Sequence, residues 1–182
     1  MEERLIVAGF GGQGIIFMGK VLAYAGLMEN KYVTCLPSYG PEMRGGTANC
    51  ATIISERRIG SPLINNPSSF ISMNRPSLDL FEPAVEPNGC ILLNSSLIAR
   101  DVKRTNVIVA KVQADTIAEE LGNKRIANMV ALGAYIAAKP IVRLESLIAS
   151  LEKVLGDRGR KVIPLNEKAI RRGAKSVYKI RR

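Results

Sequence analysis

Leu5-Ile6-Val7-Ala8-Gly9-Phe10-Gly11-Gly12-Gln13-Gly14 is the stretch from which the fold can be argued. Its first half is short, apolar and rich in branched side chains, the pattern of a fully buried strand. Four glycines within six residues end that strand, and residues 15–28 follow with Lys20 as their one charge. Strand, glycine turn and buried helix form the opening half of a βαβ unit. Gly9, Gly11 and Gly14 satisfy G-x-G-x-x-G. Glycine at these positions lets the backbone approach a phosphate, and the free N–H groups of the helix start face the anion. The same turn could also connect strand to helix and bind nothing. A dinucleotide site further requires an acidic residue after the second strand, to hold a ribose hydroxyl. Residues 31–36 are the expected second strand; Glu29 comes too early and Glu42 too late. An ordinary NAD site is therefore disfavoured. Gly9, Gly11, Gly12, Gln13 and Gly14 remain a candidate phosphate cradle.

Beyond the second strand lies Pro37-Ser38-Tyr39-Gly40-Pro41-Glu42-Met43-Arg44-Gly45-Gly46. Two prolines and three glycines give such a loop a fixed course, so its polar side chains are presented rather than solvated at random. Residues 47–55 read as a strand, 70–73 and 90–93 as short buried strands, and 107–112 as the last clear one. Pro76 at a first helical position starts a helix through about Phe81. Thr116 and Glu119 have capping-box spacing for a helix that stops at Gly122. Residues 125–138 form a helix apolar nearly all round. Leu144, Leu147, Ile148, Leu151 and Leu155 follow the amphipathic rule up to Gly156. Asn166 is placed to cap a final basic helix with Ile170, Ala174 and Val177 on its inner face. This alternation predicts an α/β protein, a three-layer α/β/α arrangement with a mostly parallel sheet and a Rossmann-like N-terminal βα unit. Residues 1–182 are expected to be a single domain. Ligands of such sheets sit at the carboxyl ends of the strands. Both loops should then share one edge, with Tyr39, Glu42 and Arg44 near the glycine turn.

Composition narrows the chemistry. The chain has no histidine, which excludes imidazole as general base, triad member or metal ligand. Cys35, Cys50 and Cys90 are widely spaced, with no C-x-x-C, so neither zinc nor an iron–sulfur cluster is supported. Buried reduced thiols are the expectation. The formal charge of +10 is concentrated late, in 158–161, 168–175 and 179–182. Aromatic residues are 5% and tryptophan is absent, so nothing interleaves with the basic residues to stack on bases. A solvated basic face, or one that meets acidic partners, is the expectation over nucleic-acid binding. No apolar run has membrane-spanning length, since Lys20 interrupts the longest. Met1-Glu2-Glu3-Arg4 leads straight into the first strand and does not read as a signal peptide, so a cytoplasmic location is expected.

Taken together, Gly9 to Ile15 and Ser38 to Gly46 resemble the γ subunit of 2-oxoacid:ferredoxin oxidoreductases. Ile91-Leu92-Leu93-Asn94-Ser95-Ser96 and Asn128-Met129-Val130-Ala131-Leu132-Gly133-Ala134 agree with it. The form Tyr-Gly-Pro-Glu-x-Arg-Gly-Gly looks most like the 2-oxoglutarate branch, with pyruvate and 2-ketoisovalerate γ subunits similar. The resemblance implies a complex that decarboxylates a 2-oxoacid, joins the acyl group to coenzyme A and passes two electrons to ferredoxin. Thiamine diphosphate with Mg and the iron–sulfur clusters are implied for the α, β or δ partner subunits. This chain lacks a Gly-Asp-Gly thiamine motif and cluster cysteines, so it is expected to be a non-redox subunit with no catalytic residue and no metal of its own. Within it, Arg44 and the glycine turn are the candidates for coenzyme A, while Tyr39, Gly40, Glu42, Gly45 and Gly46 are candidate loop or partner contacts. Isolated, it could dimerise through the apolar surface that partners cover. From other classes, a stand-alone nucleotide-binding enzyme and a basic RNA-binding module are the alternatives.

Overall fold

Alternation along the first strand sorts the core into two layers. In the computed structural model, which describes residues 1–39 and 46–181, β1 (Glu2–Phe10) sends Leu5 and Val7 into one apolar cluster and Ile6 and Ala8 into another. Successive side chains of a strand point to opposite faces, so a continuous apolar run requires cover on both. The chain continues as α1 (Ile15–Met28), β2 (Tyr32–Tyr39), β3 (Thr47–Ser55), β4 (Ser69–Ser72), α2 (Arg75–Phe81), β5 (Cys90–Asn94) and β6 (Ile108–Val112). It ends as α3 (Ala114–Glu120), α4 (Ala127–Ala138), α5 (Leu144–Gly159), α6 (Ile163–Ser176) and β7 (Tyr178–Arg181).

One sheet in the order β2-β3-β1-β4-β5-β6-β7 joins all of these strands. β1, β4, β5 and β6 are mutually parallel, and β2 points the same way across β3. β3 and β7 run against their neighbours. The α/β prediction with a mostly parallel sheet therefore holds by strand direction, although β3 separates β2 from β1. One face is covered by α1 and α4, with α5 and α6 packed on them. The other has a thinner cover: α2, the 3-10 turn Glu82–Ala84, and Ile98, Val102 and Val107 from the irregular stretch before β6.

α4 is apolar nearly all round because it is buried between sheet and helices; its residues from Ala127 to Ile136 are all buried. Gly133 and Gly173 make its packing on α6 close. A methyl group on either would land on the backbone carbonyl of Ile170 or Val130 of the facing helix. The stripe of α5 buries Leu147 and Leu151, and Gly156, with φ +58, breaks its helical run.

Three local expectations are corrected. Thr116 does not open a capping box; it lies inside α3 and its N–H donates to Ser96 Oγ at 3.2 Å. The start of α3 is instead held by Asn94 at the end of β5, whose Oδ1 accepts from Ala114 N at 3.2 Å. Asn166 does not cap α6. It lies in the first turn and its Nδ2 donates back to Val162 O at 2.7 Å. The basic C-terminal residues are not all helix or solvated coil, since β7 pairs with β6. Part of the basic excess is ion-paired, Arg171 with Glu167 and Arg172 with Glu120.

Candidate functional site

From β1 the chain first moves to one side of the sheet, through α1 to β2, and later to the other side, to β4. The carboxyl ends of β1 and β4 therefore form a topological switch point, where open α/β sheets leave a crevice. Met73 N donates to Ala8 O at 2.9 Å and closes the floor of that crevice. The glycine turn forms its wall.

Gln13 braces the turn from within. Its Oε1 accepts from Phe10 N at 2.7 Å and its Nε2 donates to Met73 O at 3.2 Å, which leaves its amide committed at both ends. Gly11 N donates to Gly46 O at 2.9 Å, so the second loop does return to the glycine turn. Ala48 stands opposite Gly9 on one side and Tyr39 on the other, which sets Tyr39 at the same level of the sheet and two strands away. Gly40, Glu42, Arg44 and Gly45 lie outside the described residues. Gly9 is packed against Gln13, Ile15 and Met73 and reaches the site only through the turn it permits.

Gly14 is the N-cap of α1 with φ +74, a left-handed conformation that suits glycine, and a side chain there would collide with Asn128. α1 has no side-chain cap and no acidic residue in its first turn. An α-helix leaves its first N–H groups without intrahelical partners and its N-terminus partly positive, and at α1 nothing among its own side chains offsets this. α4 also has no acidic residue in its first turn, but the 3-10 turn Lys124–Ile126 leads into it, where Asn123 Oδ1 accepts from Arg125 N at 3.0 Å, and Asn128 Oδ1 accepts from Met129 N at 2.9 Å. The two helix starts meet at Asn128, whose Nδ2 donates to Gly14 O at 3.5 Å.

The hollow between them has a volume of about 160 Å³ and is lined by Gly12, Gln13, Met73, Lys124, Arg125 and Asn128, with Asp115 as its one carboxylate. Asp115 is engaged by Asn94 Nδ2 at 2.5 Å. A second hollow of about 370 Å³ shares Arg125 and Asn128, adds Gly14 and runs on to Leu155 and Leu165. Lys124 pairs with Glu119 at 2.7 Å, and this hydrogen bond raises its pKa. Arg125 is exposed and has no ion pair among the described residues. The first hollow suits a phosphate or pyrophosphate, being below the roughly 300–1,000 Å³ of a whole small-molecule site. The second adds a partly apolar extension.

Lys124, Arg125 and Asn128 were not legible as site residues. The Gly122 stop was visible locally, yet nothing in the spacing ties residue 128 to residue 14.

A family model for pyruvate ferredoxin/flavodoxin oxidoreductase matches residues 4–176. The chain belongs to this family. Ketoisovalerate oxidoreductase subunit VorA from Methanothermobacter marburgensis is 41% identical over 136 residues, 75% of this chain. The chain spans only 28% of that relative's length. The 2-oxoglutarate synthase subunit KorC from Methanocaldococcus jannaschii is 33% identical over 150 residues, covering 81% of this chain and 80% of that one. Among solved structures, the 2-oxoglutarate:ferredoxin oxidoreductase from Magnetococcus marinus, with 2-oxoglutarate, coenzyme A and succinyl-CoA bound, superposes with a TM-score of 0.86. It is 23% identical and covers 96% of this chain and 30% of that one, a likeness of fold. In this pyruvate ferredoxin/flavodoxin oxidoreductase family member, the matched residues take in both helix starts and the hollow between them.

Proposed function

We propose that this chain is the non-redox γ subunit of a 2-oxoacid:ferredoxin oxidoreductase and holds coenzyme A by its phosphates at the Gly9–Gly14 turn. The observation that carries the coenzyme A role is the uncapped N-terminus of α1 meeting the start of α4 beside Arg125, a donor set suited to an anion. The amides of Gly12 and Gly14 and the guanidinium of Arg125 would bind the phosphates. Gln13 and Gly11 would act by fixing the turn rather than by touching the ligand. Coenzyme A supplies the thiol that accepts the acyl group; the chain's own work is to hold its nucleotide end.

Decarboxylation, thiamine diphosphate with its Mg, the iron–sulfur clusters and the passage of two electrons to ferredoxin belong in this reading to α, β or δ subunits. Among the described residues there is no group of three or more His, Cys, Asp or Glu to hold a metal, and no step is assigned to this chain. Arg44, on the loop that returns at Gly46, is proposed as a further phosphate contact, with Glu42 as its partner in the loop. Tyr39, Gly40, Gly45 and Gly46 are proposed to fix that loop or to meet a partner subunit. A chain built to dock is supported by the exposed Tyr24, Leu27 and Met28 of α1 beside Tyr32 and Leu36 of β2, the edge strand. The same surface would dimerise the isolated chain, and the cytoplasm is the proposed location.

The Tyr-Gly-Pro-Glu-x-Arg-Gly-Gly loop favours 2-oxoglutarate as the substrate. The 41% identity to a ketoisovalerate oxidoreductase subunit supports a branched-chain 2-oxoacid as the second reading. Steady-state kinetics of the chain co-assembled with its α and β partners tests both levels. Arg44→Ala should raise the apparent KM for coenzyme A about ten- to a hundredfold, the loss of one charged hydrogen bond, with the 2-oxoacid KM unchanged. An unchanged coenzyme A KM with a dissociated complex would assign Arg44 to an interface. Turnover compared among 2-oxoglutarate, pyruvate and 2-ketoisovalerate decides the substrate.

A further inference from the structure

Two thiols meet on the sheet beneath α1. In the antiparallel pairing of β2 with β3, Cys35 stands opposite Thr52 and Cys50 opposite Pro37. Cys35 and Cys50 are thus diagonal neighbours on one face. Their sulfurs are 3.4 Å apart. Thr52 Oγ1 completes the cluster, 3.8 Å from Cys50 Sγ and 4.0 Å from Cys35 Sγ. Gly19 of α1 forms the roof, and a methyl group there would land on the Cys50 sulfur. Cys50 is buried and Cys35, on the edge strand, is half-buried, so Cys35 is the less enclosed residue of the touching pair.

We propose that Cys35 and Cys50 are an oxidisable dithiol, which a small disulfide such as glutathione disulfide converts into an intrachain disulfide. The inference is independent of the coenzyme A reading, since neither thiol lines the two hollows at the glycine turn.

Cys35 is the point of entry. The hydrogen bond from Cys50 lowers its pKa to about 7 against the burial that would raise it, with smaller help from Thr52 and Lys20. Cys50 is pushed the other way, by its hydrogen bond to Cys35 and by burial. The nucleophile in thiol–disulfide exchange is the thiolate, so the more acidic thiol, on the less buried residue, attacks first. Cys35 thiolate attacks one sulfur of glutathione disulfide, forming a mixed disulfide and releasing one glutathione thiolate. Cys50 then loses its proton to that thiolate or to water, and its sulfur attacks the Cys35 sulfur. The second glutathione leaves. Two thiol hydrogens and two electrons pass from the protein to glutathione disulfide, which becomes two glutathione molecules. The new bond ties the edge strand β2 to β3 midway along the hairpin whose Gly46 carbonyl accepts from Gly11.

The test uses the full chain, reduced, freed of reductant without oxygen, and incubated with glutathione disulfide. The expected product is two hydrogens lighter than the starting chain. Proteolysis should give a peptide pair joined through Cys35 and Cys50, with Cys90 still open to alkylation after unfolding and dithiothreitol reversing the link. Cys50→Ser should stop with one glutathionyl group on Cys35, and Cys90→Ser should close the ring as the parent does. The proposal is overturned if the parent chain ends as a stable glutathione adduct without ring closure. It is equally overturned by a link through Cys90, or by a folded chain that stays fully reduced where the urea-unfolded chain oxidises.

Discussion

The two ends of α4 bury polar groups on opposite terms. At its C-terminal end, Glu3 of β1 is 2% exposed yet fully partnered. Tyr135 donates to it at 3.1 Å and Lys139 pairs with it at 2.8 Å, while Lys139 also donates to Ser69 Oγ at 3.1 Å. Burial, and then the charge of Glu3, push the Tyr135 phenol well above its ordinary pKa, so it remains a neutral donor. The other end is open on the side of α1. That helix has no side-chain cap, and the Arg125 cation beside it has no carboxylate of its own among the described residues. A buried charge with every partner in place holds a fold together, while donors left without protein partners are available to a ligand.

The comparison can be broken most severely at the partnered end. Lys139→Met should strand the Glu3 carboxylate, and truncating one side of a buried pair costs about 3–5 kcal/mol. For a chain of this length that corresponds to a fall in Tm of roughly 6–20 °C. Glu3→Gln added to it should recover much of the loss in a thermal melt, because the pair was replaced and not halved. A single Lys139→Met variant with an unchanged Tm would remove the contrast between the ends.

Arg125→Ala sharpens the comparison from the open end. The apparent KM for coenzyme A in the assembled complex should rise about ten- to a hundredfold, or roughly 1.5–3 kcal/mol, the worth of a hydrogen bond to a charged group. Its Tm should stay within about 1–2 °C of the parent, as for surface substitutions. A large drop in Tm with unaltered kinetics would make Arg125 structural and the two ends alike.

Gly14→Ala tests whether the bare end depends on its backbone. The positive φ and the contact with Asn128 together should cost about 1–3 kcal/mol of stability, read by urea unfolding. Asn128→Ala alongside it should return the contact part but not the conformational part. Full recovery would mean that φ at this position is free to change.

An effect no larger than at Lys139 is expected at the C-terminus of α1. Glu29 carries the same logic as Glu3, accepting from Arg143 N at 2.7 Å and pairing with Lys31 at 3.1 Å. Burial opposes ionisation there, but the hydrogen bonds from Arg143, Ser146 and Lys31 outweigh it and hold the carboxyl at about 2. A carboxyl with a lowered pKa stabilises the fold above its ordinary range, and that contribution is lost as the pH falls through about 2. Glu29→Gln should cost up to about 3 kcal/mol at neutral pH, the worth of a shift from 4.5 to about 2, since glutamine keeps the acceptor but not the charge. It should also flatten the loss of stability between about pH 4.5 and 2, measured by denaturant melts across that window.

What the sequence determined by itself is local and periodic. The buried strand and the glycine turn follow from residues 5–14, and the strand at residues 47–55 coincides with β3. Gly122, with φ +85, and Gly156 end helical runs where their positions suggested. The paired loops also carried the family. Each of these rests on interactions within a few residues, where backbone sterics and side-chain period speak directly.

Tertiary structure decided what depends on distant partners. Thr116 had the spacing of a capping residue, but Asn94, twenty residues earlier, reaches the start of α3 across two parallel strands. Nothing local reveals that β3 inserts between β1 and β2, because register is a choice among strands and not a property of one. The site was half visible for the same reason. Its glycines announce themselves by what the backbone must do at that point, whereas Asn128 and Arg125 become part of it only because α4, buried and packed on α6, delivers its N-terminus to Gly14.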